Sequence, residues 1–308
     1  MQKVLITGAT GFVGHHLCER LNGEGARVVG LARGPGLRPL VGVDMRAVDI
    51  ANAAEVERTV AEVAPEVVIH LAATRNRGVD FSAFRSGYEV NVLGTLNVME
   101  ACKRVPHLNR LIHLGTCEEY GSAEIPFDES AREAPASSYG VSKLGATQLL
   151  QSAARNWNLP VTILRPTNVY GPGQAEDMFL PALITALMQG RAFSMTPGEQ
   201  TRDYVYVDDL VEAILCAIRA RVPAGSVVNI GAGQPVRIKD VASLALLHFD
   251  PRAADLLSFD KGYRQGEVME YWASTKRASQ WLQWQTRVAL AEGIARTVAS
   301  FRASLLET

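Results

Sequence analysis

The sequence predicts an α/β fold, a doubly wound parallel sheet with a smaller, discontinuous C-terminal lobe. Three observations predict it. Short apolar runs alternate with helix-period segments through the first half of the chain, the pattern of βαβ units. The stretch 67–72 is a near-continuous apolar strand, as expected where helices cover both faces of a parallel sheet. After Val169 the pattern loosens into Gly, Pro and charged loops around short helices. The expected division is 1–168 for the sheet domain, with segments around 201–230 returning to it, and 169–308 mainly for the second lobe.

Val4-Leu5-Ile6 is too short and too rich in β-formers for a helix, and reads as the first strand. Gly8, Gly11 and Gly14 punctuate the turn after it, and a helix follows over 17–23. Strands are expected over 26–32 and 45–50, a helix over 53–63, and the buried strand over 67–72. Helix-period apolar faces mark 90–102 and 139–156, with a strand at 110–114 between them and another at 161–164. Short helices are expected at 179–189 and 208–220.

The 308 residues suffice for one large core or two small lobes. A formal charge of −1 gives no electrostatic case for nucleic acid or an anionic membrane. No apolar run is long enough to span a bilayer, and the first strand begins at once, without room for a signal peptide. Cys18, Cys102, Cys117 and Cys216 lie far apart without framework spacing, which suits a reducing cytoplasm. The six histidines show no metal-ligand spacing, and adjacent His15 and His16 point to different helix faces, so no metal is expected.

The G-x-x-G-x-x-G turn of Gly8, Gly11 and Gly14 builds an anion site. Glycines let the backbone approach a diphosphate, and the following helix start offers free N–H groups and a positive dipole end. The spacing is one residue wider than the G-x-G-x-x-G dinucleotide fingerprint. Further on, Tyr139 and Lys143 lie one helical turn apart on one face. A phenol of pKa about 10 is a poor base at neutral pH, and a nearby ammonium lowers that value.

At these residues the chain resembles the extended short-chain dehydrogenase/reductases, the nucleotide-sugar epimerase and dehydratase family, nearly end to end. Thr7-Gly-Ala-Thr-Gly-Phe-Val-Gly14 is similar to the cofactor turn, which implies a Rossmann-type sheet and cofactor contacts from Gly8, Gly11, Phe12, Val13 and Gly14. Val48-Asp49-Ile50 resembles the segment that meets the adenine. The stretch 65–73, ending in Leu71, Ala72 and Ala73, resembles the strand beside the cofactor, and Asn91 opens the helix that follows. The segment 165–174, with Asn168, resembles the strand end that meets the sugar nucleotide. The segments 201–209 and 263–267 resemble those whose arginines, here Arg202 and Arg264, hold its diphosphate, with Glu267 beside them. A guanidinium fork matches phosphate oxygens bidentately. The chemistry implied is hydride transfer at a sugar carbon: Tyr139 takes the hydroxyl proton, Thr116 hydrogen-bonds that hydroxyl, and Lys143 also grips the nicotinamide ribose.

Thr116-x-Glu118 resembles the 4,6-dehydratases, which makes Glu118 the expected base at sugar C5 and places dehydration first among the reactions. A 4-epimerase and an NADPH-dependent 4-keto-6-deoxy-sugar reductase follow. A non-catalytic dinucleotide sensor is the reading from another class, and the intact Thr116, Tyr139 and Lys143 set speaks against it. Cys117 stands where dTDP-glucose 4,6-dehydratases carry an aspartate, as a thiol acid in C5 or C6 chemistry or as packing. The second strand ends Val29-Gly-Leu-Ala32-Arg33, with alanine where NAD users carry an acid, so Arg33, assisted by Arg38, favours NADP over NAD. The resemblance also implies a homodimer through a four-helix bundle of the 90–102 and 139–156 helices.

Overall fold

The computed structural model describes residues 2–34, 36, 39–263 and 267–306. The first half runs β1 (Lys3–Thr7), α1 (Phe12–Gly23), β2 (Arg27–Ala32), β3 (Asp44–Ala47), α2 (Ala53–Val63), β4 (Val67–His70), α3 (Phe81–Gly87), α4 (Gly94–Lys103), β5 (Arg110–Leu114), α5 (Ser138–Trp157) and β6 (Val161–Pro166). Then come β7 (Asn168–Tyr170), α6 (Phe179–Met188), β8 (Phe193–Ser194), β9 (Thr201–Arg202), β10 (Tyr204–Tyr206), α7 (Val207–Arg219), β11 (Ser226–Ile230), β12 (Val236–Arg237), α8 (Ile238–Leu246), β13 (Leu257–Ser258), α9 (Lys276–Leu282) and α10 (Leu290–Leu306).

Seven strands form one parallel sheet in the order β11-β6-β5-β4-β1-β2-β3. The order reverses beside β1, and the crevice outside the carboxyl ends at such a switch point is where open α/β sheets bind ligands. One face buries Leu17, Leu21, Leu210, Ile214 and Leu282 from α1, α7 and α9. The other buries Val56, Val60, Val98, Met99 and Leu150 from α2, α4 and α5. β11 enters this sheet from late in the chain, paired with β6. A separate cluster joins α6, α8 and α10 through Leu183, Ile184, Val241, Ala245, Ile294 and Val298, flanked by two-stranded sheets β7 with β10, β9 with β12 and β8 with β13.

Several boundaries differ from expectation: α1 begins at Phe12 instead of residue 17, and β4 ends at His70 instead of residue 72. β3 stops at Ala47 instead of running to residue 50, because the Asp49 carboxylate accepts from Ala51 N at 3.0 Å and turns the chain. Helix also begins earlier than residue 90: Asp80 caps α3 by accepting from Ala83 N at 2.9 Å, and a π-helical stretch, Tyr88–Leu93, joins α3 to α4. Such π turns mark functional positions, and this one carries Asn91. No helix among the described residues is long and apolar enough to cross a membrane.

Candidate active site

The turn from β1 into α1 makes a cradle that only glycine permits. Gly8 adopts φ +71°, and a Cβ there would meet Ala72 N at 2.8 Å. A Cβ on Gly14 would sit 2.1 Å from the Gly8 carbonyl oxygen. The α1 N-cap is Gly11, with no side-chain cap and no acid in the first turn, so the amide end faces the cleft without a competing anion. Gly8, Gly11, Phe12, Val13 and Gly14 line that cleft, with Leu71 and Ala73 opposite. Thr7 Oγ1 sets this second wall by accepting from Ala72 N at 3.2 Å. A diphosphate and its flanking ribose groups fit such a cradle.

Of the other expected cofactor residues, Asn91, Asp49, Ile50 and Arg33 do not line this cleft. Asn91 is buried; its Oδ1 accepts from Thr74 N at 2.8 Å and its Nδ2 donates to Ser142 Oγ at 2.8 Å, tying the loop after β4 to α5. Ile50 is buried in the sheet core and Asp49 caps its own turn. Arg33 is exposed just beyond β2. Arg38 and Arg264 lie outside the described residues.

The catalytic triad of the sequence reading is brought together by two elements. Ser137 caps α5 by accepting from Gly140 N at 3.0 Å, which places Tyr139 in its first turn. Thr116 ends the segment after β5, with its backbone N–H held by Glu119 Oε1 at 2.9 Å. Glu119 is fully buried, and its Oε2 also accepts from Thr147 Oγ1 of α5 at 2.8 Å and from Arg165 Nε of β6 at 2.9 Å. One carboxylate therefore fastens Thr116, α5 and β6 together. Thr116 and Tyr139 face the cleft.

Lys143 is buried beneath them, and its Nζ donates to His113 Nε2 at 3.2 Å. Burial lowers the ammonium to about 8, with Glu119 opposing. His113 is pushed well down by burial and by Lys143. Beside it, Thr95 Oγ1 donates to Asn91 O at 2.6 Å, so it accepts from His70 Nε2, and His70 Nδ1 accepts from Thr7 Oγ1 at 2.7 Å. That network assigns a neutral His70, in keeping with a ring lowered to about 3 by burial and then by Lys143.

The Tyr139 phenol stands above its ordinary value. Burial raises the phenol, Glu118 raises it further, and Arg77 is the first group that opposes them. The Lys143 ammonium donates to His113. Arg77 Cζ lies 5.5 Å from the Tyr139 ring centroid.

The two acids of the dehydratase reading are placed differently from each other. Glu118 lines the cleft, where both its oxygens are taken by Arg77 Nε at 2.9 and 3.1 Å, with Nη2 also on Oε1. Cys117 is fully buried and donates to Arg165 O at 3.2 Å. Burial pushes its thiol well up, and it is not part of the cleft wall.

Asn168 lines the cleft at the start of β7. Arg202 lies nearby, 5.9 Å from the ring centroid of Tyr271, donating to Val268 O at 2.8 Å and paired with Glu267. Gln174, from the 165–174 segment, and Met178 also line the cleft, as do Arg75, Arg77 and Tyr271, which were not singled out from sequence. Arg75 and Arg77 follow the carboxyl end of β4, a position that sequence reasoning can flag because loops there gather at the switch point. Tyr271 carries no such signal; it reaches the site by an edge-to-face contact with Phe127, 5.1 Å between centroids. Among the described residues, no group of His, Cys, Asp and Glu side chains is arranged to hold a metal.

Comparison with known proteins follows this geometry. Residues 4–231 match the NAD dependent epimerase/dehydratase family. The chain is 33% identical over 315 residues to the UDP-glucose 4-epimerase of Mycolicibacterium smegmatis, covering 97% of this chain and 98% of that protein. It is 31% identical over 267 residues to the dTDP-D-glucose 4,6-dehydratase of Dictyostelium discoideum, covering 79% of this chain and 61% of that protein. The solved structure of UDP-glucuronic acid 4-epimerase from Bacillus cereus, in complex with UDP-glucuronic acid and NAD, matches with TM-score 0.86 at 29% identity, covering 98% of this chain and 100% of that one. Nucleotide-sugar epimerases and dehydratases both stand among the relatives. The glycine cradle, the Thr116 and Tyr139 wall and matches of this extent make the chain an enzyme of the NAD-dependent epimerase/dehydratase family.

Proposed function

We propose that the protein is a UDP-sugar 4-epimerase. The observation that carries this reading is the two-armed pair between Arg77 and Glu118. Elimination of the C6 hydroxyl needs a free base at C5 and an acid for the leaving group. Here Glu118 is engaged by a guanidinium and Cys117 is buried behind the wall. Epimerisation at C4 needs neither. It requires a group that takes and returns the hydroxyl proton, a donor that orients the oxygen, and room for the ketone to present its other face.

Gly8, Gly11 and Gly14 would hold the dinucleotide diphosphate, Leu71 and Ala73 the ring wall, and Lys143 the nicotinamide ribose. When bound, the cofactor supplies a reversible hydride acceptor for sugar C4. Tyr139 O takes the C4 hydroxyl proton and returns it after the sugar has turned, while Thr116 Oγ1 fixes the oxygen. Asn168 and Arg202 would bind the sugar nucleotide, Arg202 exchanging Glu267 for phosphate. The exposed Arg33 after an acid-free β2 supports NADP over NAD. The half-exposed apolar Tyr88, Leu93 and Trp157 on the outer helices support a homodimer through that face, which light scattering on the purified protein would test.

The direct assay supplies UDP-glucose or UDP-glucuronic acid with catalytic NAD or NADP. A new chromatographic peak of unchanged mass is expected. A product lighter by one water would replace this reading with a 4,6-dehydratase, the alternative supported by the place of Glu118 on the cleft wall. No product from either sugar would refute the UDP-sugar reading.

A further inference from the structure

The charges on the cleft wall beside Thr116 and Tyr139 are already matched. Among the described residues of that wall the cations are Arg75 and Arg77. Arg75 pairs with Asp177 at 3.2 Å. Arg77 gives Nε to both oxygens of Glu118, at 2.9 and 3.1 Å, and Nη2 to Oε1. Glu118 is fixed on the wall. It lies in the short 3₁₀ turn Cys117–Glu119, where its N–H donates to Thr116 Oγ1 at 3.2 Å. Glu119 closes the same turn by accepting from Thr116 N at 2.9 Å, and Ser137 Oγ donates to Glu118 Oε2 at 3.4 Å. A held carboxylate therefore stands close along the chain to the Thr116 hydroxyl, and the guanidinium that would answer a bound anion there is taken by it.

We propose that the exocyclic C6 group of the sugar faces the Arg77–Glu118 pair, and that the pair selects UDP-sugars whose C6 group is uncharged, UDP-glucose over UDP-glucuronic acid. The inference rests on the UDP-sugar 4-epimerase reading. In that reading Thr116 and Tyr139 hold the C4 oxygen, so the groups on the two flanking carbons meet the wall around them. C3 carries a hydroxyl in both sugars, whereas C6, borne by C5, is where their charge differs. A hydroxymethyl group donates to the Glu118 carboxylate or accepts from the guanidinium and leaves the pair intact. A C6 carboxylate finds Arg77 occupied and meets Glu118 as a like charge. Like charges about 4–5 Å apart in a partly exposed site repel enough to change an affinity by about tenfold or more. Discrimination of this kind comes from a built-in repulsion and not only from added attraction.

The neighbouring cations do not supply the missing charge. Arg202 is paired with Glu267 and donates to Val268 O at 2.8 Å, and in the proposed reaction it turns to the diphosphate. Lys143 is buried beneath the wall against His113, and Arg165 is buried on Glu119 and Glu133.

The test is calorimetric binding of UDP, UDP-glucose and UDP-glucuronic acid to the NAD-loaded protein in a Tyr139→Phe background, which suppresses turnover. UDP-glucose should bind at least about tenfold more tightly than UDP-glucuronic acid. Glu118→Gln should shrink or reverse that ratio by about tenfold or more, because it frees Arg77 for the carboxylate. Arg77→Gln should widen the ratio, because it leaves Glu118 unpaired. UDP affinity on the same samples checks that each variant is folded, and the two substitutions move the ratio in opposite directions, so either one decides. A parent protein that binds UDP-glucuronic acid as tightly as UDP-glucose, or a ratio unmoved by Glu118→Gln, overturns the proposal and leaves the epimerase reading standing. A parent that binds neither UDP nor either UDP-sugar overturns both.

Discussion

At the end proposed for the cofactor, the cleft is walled by Gly8, Gly11, Phe12, Val13, Gly14, Leu71 and Ala73, none of them charged. At the end proposed for the sugar, it is walled by Arg75, Arg77, Glu118, Tyr139 and Tyr271. The first wall recognises by backbone amides and shape, and nearly all of it comes from two short strand-to-helix turns. The second recognises by side chains drawn from four separate stretches of chain and held by one another. Recognition by backbone tolerates no added atoms, while recognition by side chains is tuned by which partner each charge finds.

Loss of the Tyr139 hydroxyl should separate the two ends most sharply. Tyr139→Phe is expected to lower kcat by about 10²–10⁴-fold while NAD(P) affinity, measured by fluorescence, stays unchanged. An equal loss of cofactor affinity would erase the distinction between the walls. The converse change is Gly14→Val, whose Cβ would meet the Gly8 carbonyl oxygen at 2.1 Å. It should cost about 1–3 kcal/mol of stability or more and abolish cofactor binding, read by calorimetry.

Lys143 is buried beneath the Thr116 and Tyr139 wall, and its folded value of about 8 against the ordinary 10.5 carries a sign. Between those values the unfolded chain binds more protons, so the contribution of this site to stability rises as pH climbs from about 8 toward 10.5 and is lost as pH falls through 8. Urea unfolding of wild type against Lys143→Met at neutral pH and again near pH 9.5 should differ by about 2 kcal/mol in favour of wild type at the higher pH. A difference independent of pH would mean that Lys143 stays fully charged in the fold.

Arg33→Ala should weaken NADP about tenfold and leave NAD untouched, measured as the ratio of the two dissociation constants. The smallest effect expected on turnover is that of Glu118→Gln, which should keep an isobaric product and hold kcat at neutral pH within about tenfold of wild type, in the direction of faster. Loss of all activity there would return Glu118 to the role of base.

The legible part of the molecule is the part written contiguously. Gly8, Gly11 and Gly14 could be read because backbone conformation is a local property, and Tyr139 with Lys143 because four residues make one helical turn. Sequence distance alone, however, did not say that the Lys143 ammonium would turn to His113, a residue of β5 brought beneath α5 by the sheet. Cys117 and Glu118 are neighbours in sequence, yet one faces Arg165 in the core and the other Arg77 in the cleft. Tyr271 could not be read at all, because its place comes from an edge-to-face contact with Phe127.

By itself the sequence determined the parallel α/β sheet and the glycine turn, since each follows from periodicity or spacing along a few residues. Only the tertiary structure decided which charges pair: Glu119 with Arg165, Glu118 with Arg77, Lys143 with His113. The physical reason is that an ionisable group takes its character from the nearest opposite charge and from its burial, and both are set by segments that meet only when the sheet closes around them.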